Sequence, residues 1–351
     1  MAIYLGTIIF LSFLSIIELR LDKKEKKEKK IIEIIAFAVV LLLAILRNKT
    51  VGGDLINYER SFLEWRSIPF SDIWGIKNSD VGFVLINWLV GKFTDNVYGL
   101  MIVMATLTYT FIFMSLRECS ANISMSFVIF MAMGGFADVF SGLRQTLAVG
   151  IVFWSVVCLI KKKYVKYVIW LLVAASIHTT AIIGILYGII VFTKHKNIFC
   201  LKIVLMMMLT TVIATIGIPF MVSLYGINDY SGLIVRGEGG KLLVFASGLL
   251  FLCYLKIKHS NYELNNIEIV AYNSCMVGIT IQILAMGFSL LTKLTSFYWI
   301  FFIVLIPNLL MRCRIDKSKK AIIAIAIAFM YWLYITVLDL SGIVPYKFLW
   351  Q

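Results

Sequence analysis

Residues 2–19 read AIYLGTIIFLSFLSIIEL, residues 20–30 read RLDKKEKKEKK, and residues 31–46 read IIEIIAFAVVLLLAIL: an apolar run, a basic segment and a second apolar run. A helix crossing the hydrocarbon core of a bilayer needs about 20 mostly apolar residues. With no water there to satisfy its amides, a helix is the structure such a run adopts. The basic segment between the runs is a cytoplasmic loop by the positive-inside rule. The first run has no basic segment before it and no small-residue cleavage site after it, so it reads as a retained span, not a signal peptide.

The whole chain repeats this grammar. Its 351 residues are 61% hydrophobic and 15% charged, with a mean hydropathy of +0.94. Soluble domains carry about 45–50% apolar and about 25% charged residues, so a water-soluble enzyme is excluded and no separate soluble domain fits. Further apolar runs lie at 97–116, 123–139, 143–160, 166–193, 198–217, 242–257, 267–290, 296–311 and 321–339. Basic clusters at 161–166 and 312–320 join 20–30 on the cytoplasmic side. The number of crossings between two cytoplasmic loops must be even. Residues 81–93 are therefore expected as an interfacial or re-entrant helix within an outer loop 47–96. The run 166–193, bounded by basic residues at both ends, is expected to turn near His178 as two short crossings. The reading is all-α: a polytopic membrane protein with a single domain over 1–351, about twelve transmembrane helices, both ends outside, and a second outer loop over 218–241.

The formal charge of +14 and pI near 9.4 do not mark a nucleic-acid protein, because the basic residues sit in short clusters between spans as topology signals. The six cysteines show no ligand or redox spacing and none falls in an outer loop; they read as buried thiols. There is no GxxxxGK[ST] loop, no HExxH and no DxD pair, so no metal, cofactor or nucleotide donor is expected.

Chemistry-bearing residues collect on the outer side, where cations oppose the topology rule and need another reason. RNKTVGGDLINYERSF (47–62) places Arg47 at a membrane edge, Asp54 as a candidate N-cap and Tyr58 one turn later. It reads equally as a capped interfacial helix with a snorkelling arginine. In FADVFSGLRQTLA (136–148), Asp138 and Arg144 flank a Ser-Gly turn, where Asp138 either neutralises Arg144 or leaves it for an anionic ligand. His178 in AASIHTTAII is the one histidine away from a basic inner loop, and serves proton transfer, anion binding or simply a hydrogen bond. Arg236, Lys293 and Lys347 complete the outer cations. Arg47, Arg144, Arg236, Lys293 and Lys347 share one face, and a convergent cationic site there suits a diphosphate.

At these residues the chain resembles the EpsG-like family of polysaccharide polymerases, similar in role to the Wzy-type O-antigen polymerases. The anchors are R-x3-V-G-x-D-x3-Y at Arg47 to Tyr58, G-x-R-Q-x3-A at Gly142 to Ala148, S-I-H-T-T around His178, K-x4-[YF] at Lys293 with Phe297 and Tyr298, and V-P-Y-K at Val344 to Lys347. Lys293 departs from the pattern, standing where an arginine is common. The resemblance implies metal-independent joining of polyprenyl-diphosphate-linked oligosaccharides, as both donor and acceptor, at the outer face of the bacterial inner membrane. The product is O-antigen, capsule or exopolysaccharide, and a flippase and a chain-length regulator are the expected partners besides membrane lipids. The five cations are then expected on the diphosphate, His178 or else Asp54 or Asp138 as the base, and Tyr58, Gln145 and Tyr298 on the sugars. A membrane O-acyltransferase and a repeat-unit flippase are the rival readings.

Overall fold

The computed structural model of this chain describes residues 2–21, 25–76, 79–192, 240–259, 263–285, 291–312 and 342–351, with 316, 319, 323 and 326. Among them every regular element is a helix. In order these are α1 (Ala2–Arg20), α2 (Lys26–Ile45), α3 (Leu55–Trp65), a 3-10 helix (Phe70–Gly75), α4 (Val81–Gly91), α5 (Val97–Cys119), α6 (Ile123–Ala132), α7 (Gly135–Ser141), α8 (Leu143–Ile160) and α9 (Tyr164–Ile177). A second 3-10 helix (Thr179–Ile185) leads into α10 (Leu186–Phe192), followed by α11 (Gly240–His259), α12 (Asn266–Ala285), α13 (Thr292–Trp299) and α14 (Phe302–Arg312).

Among the described residues, five segments are long and apolar enough to cross a membrane: Ala2–Arg20, Val97–Cys119, Leu143–Ile160, Asn266–Ala285 and Thr292–Arg312. A sixth is a broken pair, Ile123–Ala132 with Gly135–Ser141, bent by 66°. The break follows from MAMGGFAD: Gly134 takes a φ of +80°, open to glycine, and a Cβ on Gly135 would run into the Phe130 ring. Hydropathy reads 123–139 as one run and does not show this bend. The expected runs 198–217 and 321–339 and the loop 218–241 lie largely outside the described residues. Residues 81–91 do form a helix, and its 11 residues extend about 16 Å, well short of a bilayer core of about 30 Å. The run 166–193 is interrupted at His178 as expected: α9 ends there, and His178 adopts an extended backbone (φ −152°, ψ 112°) before the 3-10 helix begins.

The chain forms two compact units, residues 1–182 with 306–351, and residues 183–305. In the first, α8 packs between α5 and α9, and α1 packs on α6. Glu18 of α1 is buried, and its carboxylate accepts the Ile123 and Ser124 amides at 3.0 Å each, capping α6 from a neighbouring helix. Val165, Val168, Ile169 and Leu172 of α9 are exposed. An outward apolar stripe of this kind suits lipid chains, not water. In the second unit, Asn265 and Glu268 exchange side-chain-to-backbone bonds in a capping box that opens α12. Cys119, Cys158 and Cys275 are buried thiols, and Cys253 is a half-buried one.

The C-terminal residues are stitched to the loop after α2. Asn48 donates to the Lys347 carbonyl at 2.8 Å, Leu349 to Leu46 at 2.7 Å and Gly52 to Gly342 at 3.1 Å, while Tyr4 and Tyr346 donate their hydroxyls to Ile343 and Leu43. Gly52 is required at this junction. Its φ is +117°, and a Cβ would lie 2.5 Å from the Phe140 carbonyl oxygen, which is backbone and has no rotamer to yield. Gly52→Ala is therefore expected to destabilise the protein by about 1–3 kcal/mol, seen as a lower melting temperature in detergent. Gly53→Ala is the control, since a Cβ there would meet nothing within 4 Å.

Candidate functional site

Three chain breaks meet in the first unit: the start of α4, the start of α8 and the gap between α9 and the following 3-10 helix. Each break leaves a polar residue at the end of an apolar element. Asp80 is the N-cap residue of α4, Arg144 the second residue of α8, and His178 the residue that closes α9. Arg144 stands at the positive end of its helix dipole, the unfavourable end for a cation. Something other than helix stability keeps it there.

Asp80 joins the three. Its Oδ1 accepts the Thr179 amide at 3.1 Å and also the Thr179 hydroxyl. Its Oδ2 lies 3.5 Å from Arg144 Nη1 and 3.4 Å from His178 Nδ1. The side chains of Asp80 and His178 are 14% and 15% exposed and that of Arg144 is 32% exposed, so the group is sheltered, with Arg144 its most open member. Asp80 makes no capping bond to its own helix, because its carboxylate is turned toward Thr179. The positive end of α4 still lies beside that negative charge.

An aromatic wall backs the cluster. The Arg144 guanidinium lies 5.3 Å from the centroid of the Phe83 ring, and Tyr58 and Trp65 meet the same ring edge-on at 5.7 and 5.9 Å. A guanidinium beside a ring gains cation–π attraction and keeps N–H donors for a ligand. Burial pushes the Tyr58 phenol above its ordinary range, and the adjacent Arg144 charge acts against that shift. The cluster thus combines one fixed cation, one imidazole, one carboxylate and a phenol, a set able to bind an anion and move a proton.

Arg47 is placed elsewhere. It is 0% exposed, donates to the carbonyls of Ala44 and Phe140 at 3.0 Å each, and lies over the Phe140 ring at 4.4 Å. Burial lowers its pKa to about 10. Its backbone pairs with Phe348 in an isolated antiparallel bridge. In this arrangement the Arg47 guanidinium is enclosed between the loop after α2, α7 and the C-terminal residues, with no face open to a ligand.

The other expected residues divide similarly. Asp54 does stand at the N-cap of α3, but its backbone is helical (φ −95°, ψ −1°), and its side chain makes no cap bond. A capping side chain is normally aimed by an extended backbone at that position. The Asp54 carboxylate is exposed. Asp138 is also exposed, and the ion pair to Arg144 comes from Asp80 instead; α7 and α8 are separate helices broken at Gly142, so Asp138 and Arg144 share no helix face. Gln145 is half-buried at the start of α8, and Lys347 is exposed beside the Arg47 loop.

In the second unit, Lys293 is exposed at the start of α13. Tyr298 is 0% exposed, stacked on Tyr187 with centroids 4.9 Å apart, and its hydroxyl donates to the Ile183 carbonyl at 2.9 Å. That is a core position, which leaves no ring face for a sugar. Arg236 lies outside the described residues. Among the described residues, no three His, Cys, Asp or Glu side chains gather as a cation site.

Asp80 is the residue that sequence reasoning missed. The signal was present in SDVGF: a carboxylate directly before a short apolar helix, in the 47–96 segment expected on the same side as the cations. The carboxylates singled out, Asp54 and Asp138, were those beside the cations in sequence, and the one beside Arg144 in space was passed over.

Compared with known families, residues 30–348 match the model described as the EpsG family, nearly the whole chain. No curated protein and no solved structure matches it.

Proposed function

The chain belongs to the EpsG family, whose members are polysaccharide polymerase-type membrane proteins, and from that premise we propose that it joins polyprenyl-diphosphate-linked oligosaccharide repeat units. In this proposal the reaction runs at the outer face of the bacterial inner membrane, with O-antigen, capsule or exopolysaccharide as the product. The observation that carries the reading is the meeting of Arg144, Asp80 and His178 from three distant segments, two of them within the sequence anchors of the family resemblance.

The chemistry needed is modest. The hydroxyl of the acceptor sugar attacks C1 of the donor sugar, the bond from C1 to the diphosphate oxygen breaks, and the electron pair leaves with the polyprenyl diphosphate. Arg144, at the N-terminus of α8, supplies charge-assisted hydrogen bonds to the oxygens on which negative charge grows. The acceptor proton passes to the His178 imidazole. Asp80, accepting from Nδ1–H, leaves Nε2 with the lone pair that takes it. No step calls for a metal, because a diphosphate is already a good leaving group once its charge is met by cations. Arg47 supports the site from beneath the outer loop, and Tyr58 shapes its wall. Exposed Ile56, Leu63, Phe70, Trp74 and Phe93 give the 47–96 segment an apolar surface suited to lie against lipid, near the polyprenyl chain.

Comparing surface glycans of cells with and without the gene tests this reading. Loss of long chains with single repeat units retained supports a polymerase. Loss of all repeats at the surface marks a flippase, and intact chains lacking acyl groups mark an O-acyltransferase; either outcome overturns the proposal.

A further inference from the structure

We propose that Asp80 is the resident counter-ion of the diphosphate site, neutralising Arg144 when the site is empty and passing to His178 when a diphosphate takes the arginine. The proposal rests on the diphosphate reading above and adds a residue and an order of events to it.

The argument starts from the two oxygens of one carboxylate. Oδ1 is anchored by the amide and hydroxyl of Thr179, which fixes the plane of the group. Oδ2 is left between Arg144 Nη1 at 3.5 Å and His178 Nδ1 at 3.4 Å. Both separations exceed the roughly 2.7–2.9 Å of a good charge-assisted hydrogen bond. A single oxygen held midway serves two donors poorly, and removing either claim lets it close on the other. Arg144 is the more exposed of the two donors and lies at a helix N-terminus, so an arriving anion meets it first. A diphosphate satisfies the guanidinium bidentately and repels Asp80. The carboxylate, still tethered through Oδ1 by Thr179, then turns its Oδ2 to the imidazole Nδ1–H. His178 becomes fixed in the tautomer whose Nε2 accepts a proton, and this happens when a donor substrate is present.

The resting ion pair also keeps an arginine at the site without a ligand, where an unpaired, sheltered charge would be costly. Asp80 therefore weakens binding and promotes turnover. This opposition of sign separates the proposal from a merely structural role, whose loss would harm both.

The test uses detergent-solubilised full-length protein and farnesyl diphosphate, with farnesol as the neutral control. Asp80→Asn is expected to bind farnesyl diphosphate about fivefold more tightly than wild type, with farnesol binding unchanged, while extending lipid-linked repeats at least about 10²-fold more slowly. Asp80→Ser, which also preserves an N-cap residue for α4, should behave the same way and guards against a folding artefact in either variant. With 15N-labelled histidine, adding farnesyl diphosphate to wild type should increase the Nδ1–H tautomer of His178, and adding it to Asp80→Asn should not.

Equal or weaker diphosphate binding by both variants overturns the counter-ion role. Tighter binding with an unchanged imidazole spectrum in wild type overturns the hand-over to His178. Failure of wild type to extend repeats while it still binds farnesyl diphosphate sinks the polymerase reading instead. In that case the exchange stands or falls on the binding and imidazole measurements, which need no turnover.

Discussion

His178→Gln is expected to extend lipid-linked repeats about 10²- to 10⁴-fold more slowly than wild type, the range a general base contributes, while binding donor normally. Glutamine retains a donor and an acceptor, so it can keep a hydrogen bond to Asp80 and close the end of α9. It cannot take up a proton at neutral pH. The measurement is single-turnover extension with purified protein and defined lipid-linked repeat units, alongside the melting temperature. A normal melting temperature with slow extension assigns His178 the proton. Near-normal extension would make His178 a structural hinge, and the base would then be sought among Asp54 and Asp138, both exposed in the first unit.

Arg144→Ala should abolish detectable polymer, and Arg144→Lys should fail nearly as badly. A hydrogen bond to a charged group in a sheltered site is worth about 1.5–3 kcal/mol, and charge developing on the leaving diphosphate places that loss on the transition state as well as on binding. Lysine keeps the charge but loses the planar fork, which here lies beside the Phe83 ring with one Nη 3.5 Å from Asp80. Polymer length in cells expressing each variant at equal membrane levels checks the expectation. Long chains at the normal rate from both variants would remove Arg144 from the site. The contrast with Asp80→Asn is informative: loss of the cation weakens diphosphate binding, whereas loss of its counter-ion strengthens it.

The two residues with the largest expected effects were both legible in the sequence, and for the same reason. An arginine within an apolar region, on the side expected to be outer, opposes the topology rule, and a histidine interrupting a long apolar run breaks the pattern around it. Each stands out against a background whose rule is simple. Asp80 was less visible because a carboxylate before a helix needs no special explanation. The Gly134-Gly135 break was readable from the paired glycines, and hydropathy alone, which averages over such a window, concealed it.

Arg47 shows the opposite limit. Its sequence setting matches that of Arg144: a cation beside an apolar run. Yet one guanidinium is enclosed by Ala44, Phe140 and the C-terminal residues, and the other is partly open beside Asp80. Nothing local distinguishes them. The difference is made by residues 342–351 folding back over the Arg47 loop and by Phe140 presenting both its ring and its carbonyl there.

The sequence by itself determined that the chain is helical and membrane-embedded, where several spans begin and end, and which polar residues oppose the pattern. Those properties arise from the transfer of about 20 consecutive residues into hydrocarbon, a local sum that neighbouring helices scarcely alter. Only the tertiary structure decided that Asp80 rather than Asp138 pairs with Arg144, that Arg47 and Tyr298 are fully buried, and that Thr179 holds the carboxylate between two donors. A partner is chosen by which helix ends are packed together, and side-chain reach is only a few ångströms. Identical residue types therefore become a ligand site or a buried strut according to contacts between segments far apart in the chain.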